Sequence, residues 1–357
     1  MNRTAISLFT GAGGMDIGFL KAGFNIIWAN DNDKDSCDTY KSNHNTPIQN
    51  GNLSSFLNDL NKYKGVDCVF GGPPCQGFSR AGNMDPFDPR NKLIFEFIKS
   101  VEILRPSLFM MENVKPLATH KKYSLLKKKL IKMSSSLGYT TELLILNAKD
   151  FGVPQSRERM FFIGYLGNSV IGPLSDHIKK YYKKSLSLKS IFKKMGPAGS
   201  LKNAGICQAK IVLAKNPVVR NSPYAGMLFN GKGRPLDPNG YAPTLLATMG
   251  GNHTPIIDID QFYRNKKSWV EKYHTHLING GKPYSDQSVP SRLRRLTLDE
   301  CAKLQTFPAA YKFKGSGSSI YRQIGNAVPC KLATCIGKIG MDILNNINKL
   351  DNNKYQI

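Results

Sequence analysis

Short apolar runs alternate with stretches of helical spacing over the first half of the chain. Ala5–Phe9 reads as a buried strand and leads straight into Gly11-Ala12-Gly13-Gly14. Met15–Ala22 has helical spacing and ends at Gly23, Phe24–Ala29 is a second strand, and Asp67–Phe70 is a third, followed by Gly71-Gly72. Leu93–Leu104 places Leu93, Phe97, Val101 and Leu104 on one helical face and stops before Pro106. Leu108–Met111 is a further strand, Tyr123–Leu137 a basic amphipathic helix ending at Gly138, and Thr141–Asn147 and Met160–Tyr165 are strands. Strands alternating with helices predict an α/β, doubly wound, mostly parallel sheet covered on both faces. After Tyr165 the periodicity fades and Gly and Pro become frequent. Asn216–Arg220 and Thr254–Asp258 read as short strands between turns, which predicts a second, smaller, irregular and β-rich domain. Helical order returns in Leu298–Thr306 and in Lys331–Leu350, where Leu332, Ile336, Ile339 and Ile343 share a face. The expected division is a first domain over residues 1–168, a second over 169–293, and a return segment, 294–357, packing back on the first.

Composition adds charge to this picture. The chain has 357 residues, 50 Lys+Arg and 25 Asp+Glu, a formal net charge of +25. Between Val170 and Arg295 there are 21 Lys/Arg against 6 Asp/Glu, so the excess concentrates in the irregular middle. Such an excess suits a polyanionic partner and equally a solvated Lys-rich surface; it does not decide between them. No apolar stretch reaches the roughly 18 residues of a membrane span, and the first residues lack a secretory pattern. Seven scattered Cys with no CxxC pair argue against a disulfide scaffold and a structural zinc site, and predict a reducing, cytoplasmic setting. His274 and His276 have no third ligand within reach in sequence, so no metal is expected.

Four segments carry chemistry. The turn Phe9–Gly14 lies between a strand and a helix, where glycines admit close backbone approach and the helix N-terminus favours a carboxylate or phosphate. Asp16 stands where a strict GxGxxG would have its third glycine. Asp31, at the end of the next strand, can accept bonds from ribose hydroxyls. Gly71-Gly72-Pro73-Pro74-Cys75-Gln76-Gly77-Phe78-Ser79 follows a strand, so it lies at the carboxyl edge where such sheets bind ligands. Two prolines stiffen the approach to Cys75, a suitable mount for a nucleophilic thiol; the other six cysteines read as structural. Glu112, in Met111-Glu112-Asn113-Val114, has an apolar strand behind it and is placed to hold or deliver a proton. In Gln155-Ser156-Arg157-Glu158-Arg159, alternate residues of an extended segment face one way, so Arg157 and Arg159 are expected to converge on one site.

These segments, with Arg295–Pro308 (RLTLDECAKLQTFP) and Tyr321–Pro329 (YRQIGNAVP), stand in an order that resembles the DNA (cytosine-5) methyltransferase family, particularly its bacterial restriction–modification members. The resemblance covers about residues 4–166 and 293–345, and the basic middle lies where that family carries its target-recognition domain. It implies a Rossmann-like methyltransferase domain, S-adenosyl-L-methionine as methyl donor, duplex DNA as substrate, and a cytosine flipped out of the stack. By the same resemblance Cys75 is the nucleophile that attacks C6, and Glu112 contacts N3 and the exocyclic amine. Arg157 lies near the base carbonyl and Arg159 supports the nucleophile. Phe9, Gly11, Gly13, Asp31, Asn52, Pro73, Leu93, Asn326 and Val328 border the cofactor. Asn52 stands where an Asp is common and Asn32 where an aromatic often packs. Gln76 and Ser79 contact the DNA backbone or fill the vacated space, and Thr244 lies near the flipped nucleotide's phosphate. Arg234, in Gly231-Lys232-Gly233-Arg234, reads as a bidentate guanine contact in the major groove, with a phosphate contact or an exposed turn as the alternatives. A monomer is implied, with a restriction endonuclease encoded nearby and no stable complex between them.

Three rivals remain at this stage. A tRNA cytosine-5 methyltransferase would share the catalytic segments but carry a Cys-Phe-Thr signature, which is not evident. A catalytically silent DNA-binding protein would have lost Cys75 or Glu112. A nicotinamide oxidoreductase would leave Pro73-Pro74-Cys75 unexplained.

Overall fold

A computed structural model describes residues 2–74, 92–167, 172–285 and 288–354. The first half runs β1 (Arg3–Leu8), α1 (Gly14–Ala22), β2 (Phe24–Asp31), α2 (Lys34–Lys41), β3 (Ile48–Asn50), β4 (Cys68–Gly71), α3 (Lys92–Leu104), β5 (Leu108–Val114), α4 (Lys115–Thr119), α5 (Ser124–Ser136), β6 (Tyr139–Asn147), β7 (Glu158–Leu166) and the short α6 (Leu174–His177). The strands form one seven-stranded sheet in the order β3-β2-β1-β4-β5-β7-β6. β7 runs antiparallel to both its neighbours and the other pairings are parallel. The order reverses on either side of β1 and β4, so their carboxyl ends, Leu8 and Gly71, form the crevice where such sheets hold ligands. Near-continuous apolar strands follow from burial on both faces: Val69, Phe109, Met111 and Phe162 pack with Phe97, Val101 and Leu104 of α3 in one core.

The second half runs α7 (Leu188–Met195), β8 (Leu213–Val218), β9 (Met227–Phe229), β10 (Ile256–Asp258), α8 (Ile259–Arg264), α9 (Trp269–Ile278), β11 (Leu293–Arg295), α10 (Leu298–Leu304), α11 (Gly317–Asn326) and α12 (Cys330–Lys354). The chain divides into two compact units. One comprises Met1–Phe151, Glu158–Lys183 and Val328–Ile357; the other comprises Gly152–Arg157 and Lys184–Ala327. The second unit differs from the sequence reading twice. Among its described residues helix exceeds strand, where a β-rich domain was expected. Its helices carry ordinary start signals: Ser187, Asp258, Ser268, Thr297 and Ser316 each accept a backbone N–H at a helix start, and Thr297 with Glu300 completes a capping box. Residues 294–327 also pack within it. Glu300, fully buried, receives Arg294 through both carboxylate oxygens (2.6 and 2.8 Å), and Tyr321 Oη donates to the Leu296 carbonyl.

α12 packs in the first unit against α1, backbone nearly on backbone. A Cβ added at Gly18 would lie 2.4 Å from Ala333 Cβ, and one at Gly337 would lie 2.8 Å from Ala22 Cβ. Gly18→Val therefore forces the helices apart. The expected loss is about 1–3 kcal/mol from overpacking, read as a lower urea midpoint with unchanged slope.

Candidate active site

The glycine turn is built at the carboxyl end of β1. Phe9, Gly11 and Gly13 have positive φ of 53°, 55° and 76°, the left-handed backbone that compresses the turn, and for Phe9 an uncommon one. Gly13 is the N-cap of α1 and no side chain caps the helix start, a place that favours a carboxylate or phosphate. A Cβ added at Gly11 would meet nothing within 4 Å. The turn is braced from below by Asp16, fully buried, which accepts from Thr10 Oγ1 at 2.6 Å and Tyr40 Oη at 3.0 Å. Burial pushes the Asp16 carboxyl above its ordinary range, against the hydrogen bonds and the nearby His44 that favour its charge. The residue that breaks the stricter glycine pattern is thus a structural strut.

Asp31 closes the same crevice from the end of β2. Its carboxylate accepts the Gly11 amide at 2.7 Å and the Asp33 amide at 2.8 Å. Burial raises its pKa above the usual carboxylate value, while those two amides pull it back. Asn30, which sequence reasoning passed over, is buried and donates to the Gln49 and Gly51 carbonyls, both at 3.0 Å. It thereby places Asn52, whose Oδ1 accepts from Asn32 at 3.4 Å. An uncapped helix start beside an acid at the next strand's end fits a ligand with a carboxylate at one end and vicinal hydroxyls at the other.

A second group lies at the ends of β4, β5 and β7. Glu112 of β5 and Arg159 of β7 form an ion pair, Nε to Oε1 at 2.8 Å, with both side chains largely buried. The antiparallel register puts Val114 opposite Arg159, so the pair crosses the sheet diagonally. Gly72 stands against it: a Cβ there would lie 3.1 Å from Glu112 Oε2. Asn113 is buried and donates to the Pro73 carbonyl at 3.2 Å, fastening the Pro73-Pro74 stretch to the strand carrying Glu112. Nothing in the sequence beyond the Glu112-Asn113-Val114 motif pointed to that fastening. Pro73 and Val328 are buried, and Leu93 is partly so. Cys75, Gln76 and Ser79 lie outside the described residues. Of the other cysteines, Cys37, Cys68, Cys301 and Cys330 are buried. Burial pushes the Cys37 thiol up to about 11 and that of Cys330 to about 12, which disfavours thiolate.

The two arginines have different hydrogen-bond partners among the described residues. Arg159 meets Glu112, but Arg157, 1% exposed, donates to main-chain carbonyls of the second unit: Leu245 at 3.1 Å, Gly325 at 3.0 Å and Asn326 at 3.4 Å. The physical reason is where the strand begins. β7 starts at Glu158, and Arg157 belongs to the preceding segment, which bridges instead to Ala242. Thr244 Oγ1 donates to the Ser156 carbonyl at 3.0 Å, and Arg234 donates to the Ala225 carbonyl. His274 and His276 each bond a backbone carbonyl, of Arg220 and Lys282.

Residues 3–340 match the family model described as C-5 cytosine-specific DNA methylase. The type II methyltransferase M.FnuDI of Fusobacterium nucleatum is 32% identical over 93% of this chain and 92% of its own length. M.MthTI of Methanothermobacter thermautotrophicus is 33% identical over 95% and 97%. Among solved structures, the Dnmt2 methyltransferase of S. pombe superposes with a TM-score of 0.69 over 96% of this chain and 99% of that one, at 18% identity, a likeness of fold.

Proposed function

The chain belongs to the C-5 cytosine-specific DNA methylase family, and from that premise we propose which of its residues perform the reaction. The activity is transfer of a methyl group from S-adenosyl-L-methionine to C5 of cytosine in DNA. Cytosine C5 is a poor nucleophile. A thiolate added at C6 breaks the ring's aromaticity and pushes electron density onto C5. We assign that thiolate to Cys75. The observation that carries the assignment of the remaining groups is the Glu112–Arg159 pair against Gly72, three residues before Cys75.

Glu112 is the group that faces N3 and the exocyclic amine, where charge develops when C6 is attacked. Arg159, rather than Arg157, is the cation that holds Glu112 in place and offers its remaining donors to the base carbonyl. Loss of the C5 proton and expulsion of the thiol then restore the ring. The base must leave the stack, at a few kcal/mol of unstacking. Gln76 and Ser79 follow Cys75 in the chain and serve the DNA backbone or the vacated space. Thr244 serves the phosphate of the flipped nucleotide. Arg234 and the basic second unit serve the surrounding duplex.

The cofactor's place is the crevice of the glycine turn. Its carboxylate suits the uncapped start of α1 and its ribose hydroxyls suit Asp31; Phe9, Gly11, Gly13, Asn52, Pro73, Leu93, Asn326 and Val328 border it. When bound it supplies an electrophilic methyl group. Asp31→Ala removes a charged acceptor worth about 1.5–3 kcal/mol, so KM for the cofactor is expected to rise about 10- to 100-fold with kcat little changed at saturation. A fall in kcat at unchanged KM contradicts the assignment.

We further propose a cytoplasmic monomer that protects DNA against a separately encoded endonuclease. Among the described residues no helix is long and apolar enough to cross a membrane. The functional reading is tested by offering labelled cofactor with duplex DNA and with tRNA, then sequencing bisulfite-treated DNA from cells expressing the chain. Label in duplex DNA at one repeated cytosine context is the expected result. Label confined to tRNA overturns it.

A further inference from the structure

Three segments of the second unit meet around Arg157: its own stretch 154–157, the stretch 242–247, and the end of α11 at 324–327. The contacts are dense and polar. Besides the three carbonyls that Arg157 reaches, Gln155 accepts the Leu245 amide at 3.0 Å and donates to Gln305 Oε1 at 2.9 Å. Gln305 in turn donates to the Ile324 carbonyl at 2.6 Å and the Ala327 carbonyl at 3.1 Å. Gln155, Arg157 and Gln305 are all within 1% of complete burial. Gly325 lies directly on the facing chain: a Cβ there would come 2.3 Å from the Leu246 carbonyl oxygen.

A buried guanidinium is costly unless its donors are bonded, and its planar fork can hold several carbonyls in one fixed geometry. A core that only had to pack would use apolar side chains here. What this node adds is a rigid polar link between two pieces of backbone that already touch at Leu246 and Gly325. One piece adjoins Thr244 and the other ends at Asn326.

We propose that Arg157 is a positioning residue that couples engagement of target DNA to cofactor binding, by joining the backbone beside Thr244 to the backbone of Gly325 and Asn326. The inference rests on the roles given above to Thr244 and Asn326. With both segments held by one guanidinium, ordering either segment by its ligand orders the other, and by linkage the effect is reciprocal.

The test uses the full chain, a duplex containing the methylated context, and S-adenosylhomocysteine, the unreactive demethylated cofactor. Duplex affinity is measured with and without it, and its own affinity with and without duplex. In the native protein each is expected to tighten the other by at least about 5-fold. In Arg157→Lys, which keeps the charge and loses the fork, the factor is expected to fall below about 2-fold, with each separate affinity within about 3-fold of native. Gln155→Met, which removes the parallel link and retains Arg157, is expected to give an intermediate factor and serves if the lysine variant fails to fold. Unchanged coupling in the folded variants overturns the proposal, as does its absence in the native protein. So do separate affinities that fall as far as the joint one, the pattern of a merely structural residue. A native chain that leaves duplex DNA unmethylated refutes the functional reading instead, so the two failures are distinguishable.

Discussion

Cys75→Ala is expected to abolish methyl transfer while duplex DNA binding survives. Removing a covalent nucleophile removes the intermediate itself and leaves only positioning and electrostatics, so a fall of about 10⁴-fold or more is expected in kcat. Cofactor affinity should stay near the native value, since the proposed cofactor contacts lie on the glycine turn, Asp31 and the segment around Asn326. The check is single-turnover transfer of labelled methyl together with a binding titration. Transfer within ten-fold of native would remove Cys75 from the mechanism. Of the six other cysteines, four are buried and burial raises each of their thiols, while Cys207 and Cys335 are half-buried.

The second large effect belongs to the ion pair behind the base. Glu112→Gln keeps the shape and most of the hydrogen bonding but removes the charge that answers Arg159 and the carboxyl group that can hold a proton at N3 while electron density builds up in the ring. Loss of one such preorganised group costs about 10²–10³ in kcat, with KM for DNA changing far less. Arg159→Ala should give a loss of the same order by leaving a largely buried carboxylate without its 2.8 Å partner. Because the two act as a unit, the double variant should be only slightly worse than either single one. Losses that simply multiply would mean that Glu112 and Arg159 act on the reaction independently. Arg157→Lys is expected to behave differently, since Arg157 reaches only main-chain carbonyls among its described hydrogen-bond partners: its signature is altered coupling between ligands.

Much of this was legible before any coordinates. The first unit's strands and helices followed from apolar runs and glycine stops because a sheet buried on both faces leaves so strong a pattern. The edge strand Ile48–Asn50 and the helix Lys34–Lys41 were missed: the one is three residues long, and the other is polar over most of its length. In the second unit Leu188, Ile191, Phe192 and Met195 have helical spacing and Ser187 caps them, a signal masked by the surrounding Gly and Pro, which favour turns. The site motifs were visible as motifs, but their partners were not. Alternation along an extended segment suggested that Arg157 and Arg159 share a destination. That rule holds only within one strand, and β7 begins between them at Glu158. The partners of Asn30, Asn113 and Gln305 were not legible, since their side-chain amides donate to carbonyls 19 or more positions away.

The most direct test of the account is covalent capture. Once bisulfite sequencing has given the methylated context, duplex DNA carrying 5-fluorocytosine at that position is incubated with the protein and S-adenosyl-L-methionine. Fluorine cannot leave C5 as a proton does, so an adduct that forms through C6 cannot resolve. A denaturant-resistant protein–DNA species, dependent on cofactor, whose linked peptide contains Cys75, is expected, and none with Cys75→Ala. No such species with an active native protein, or one attached at another residue, would contradict it.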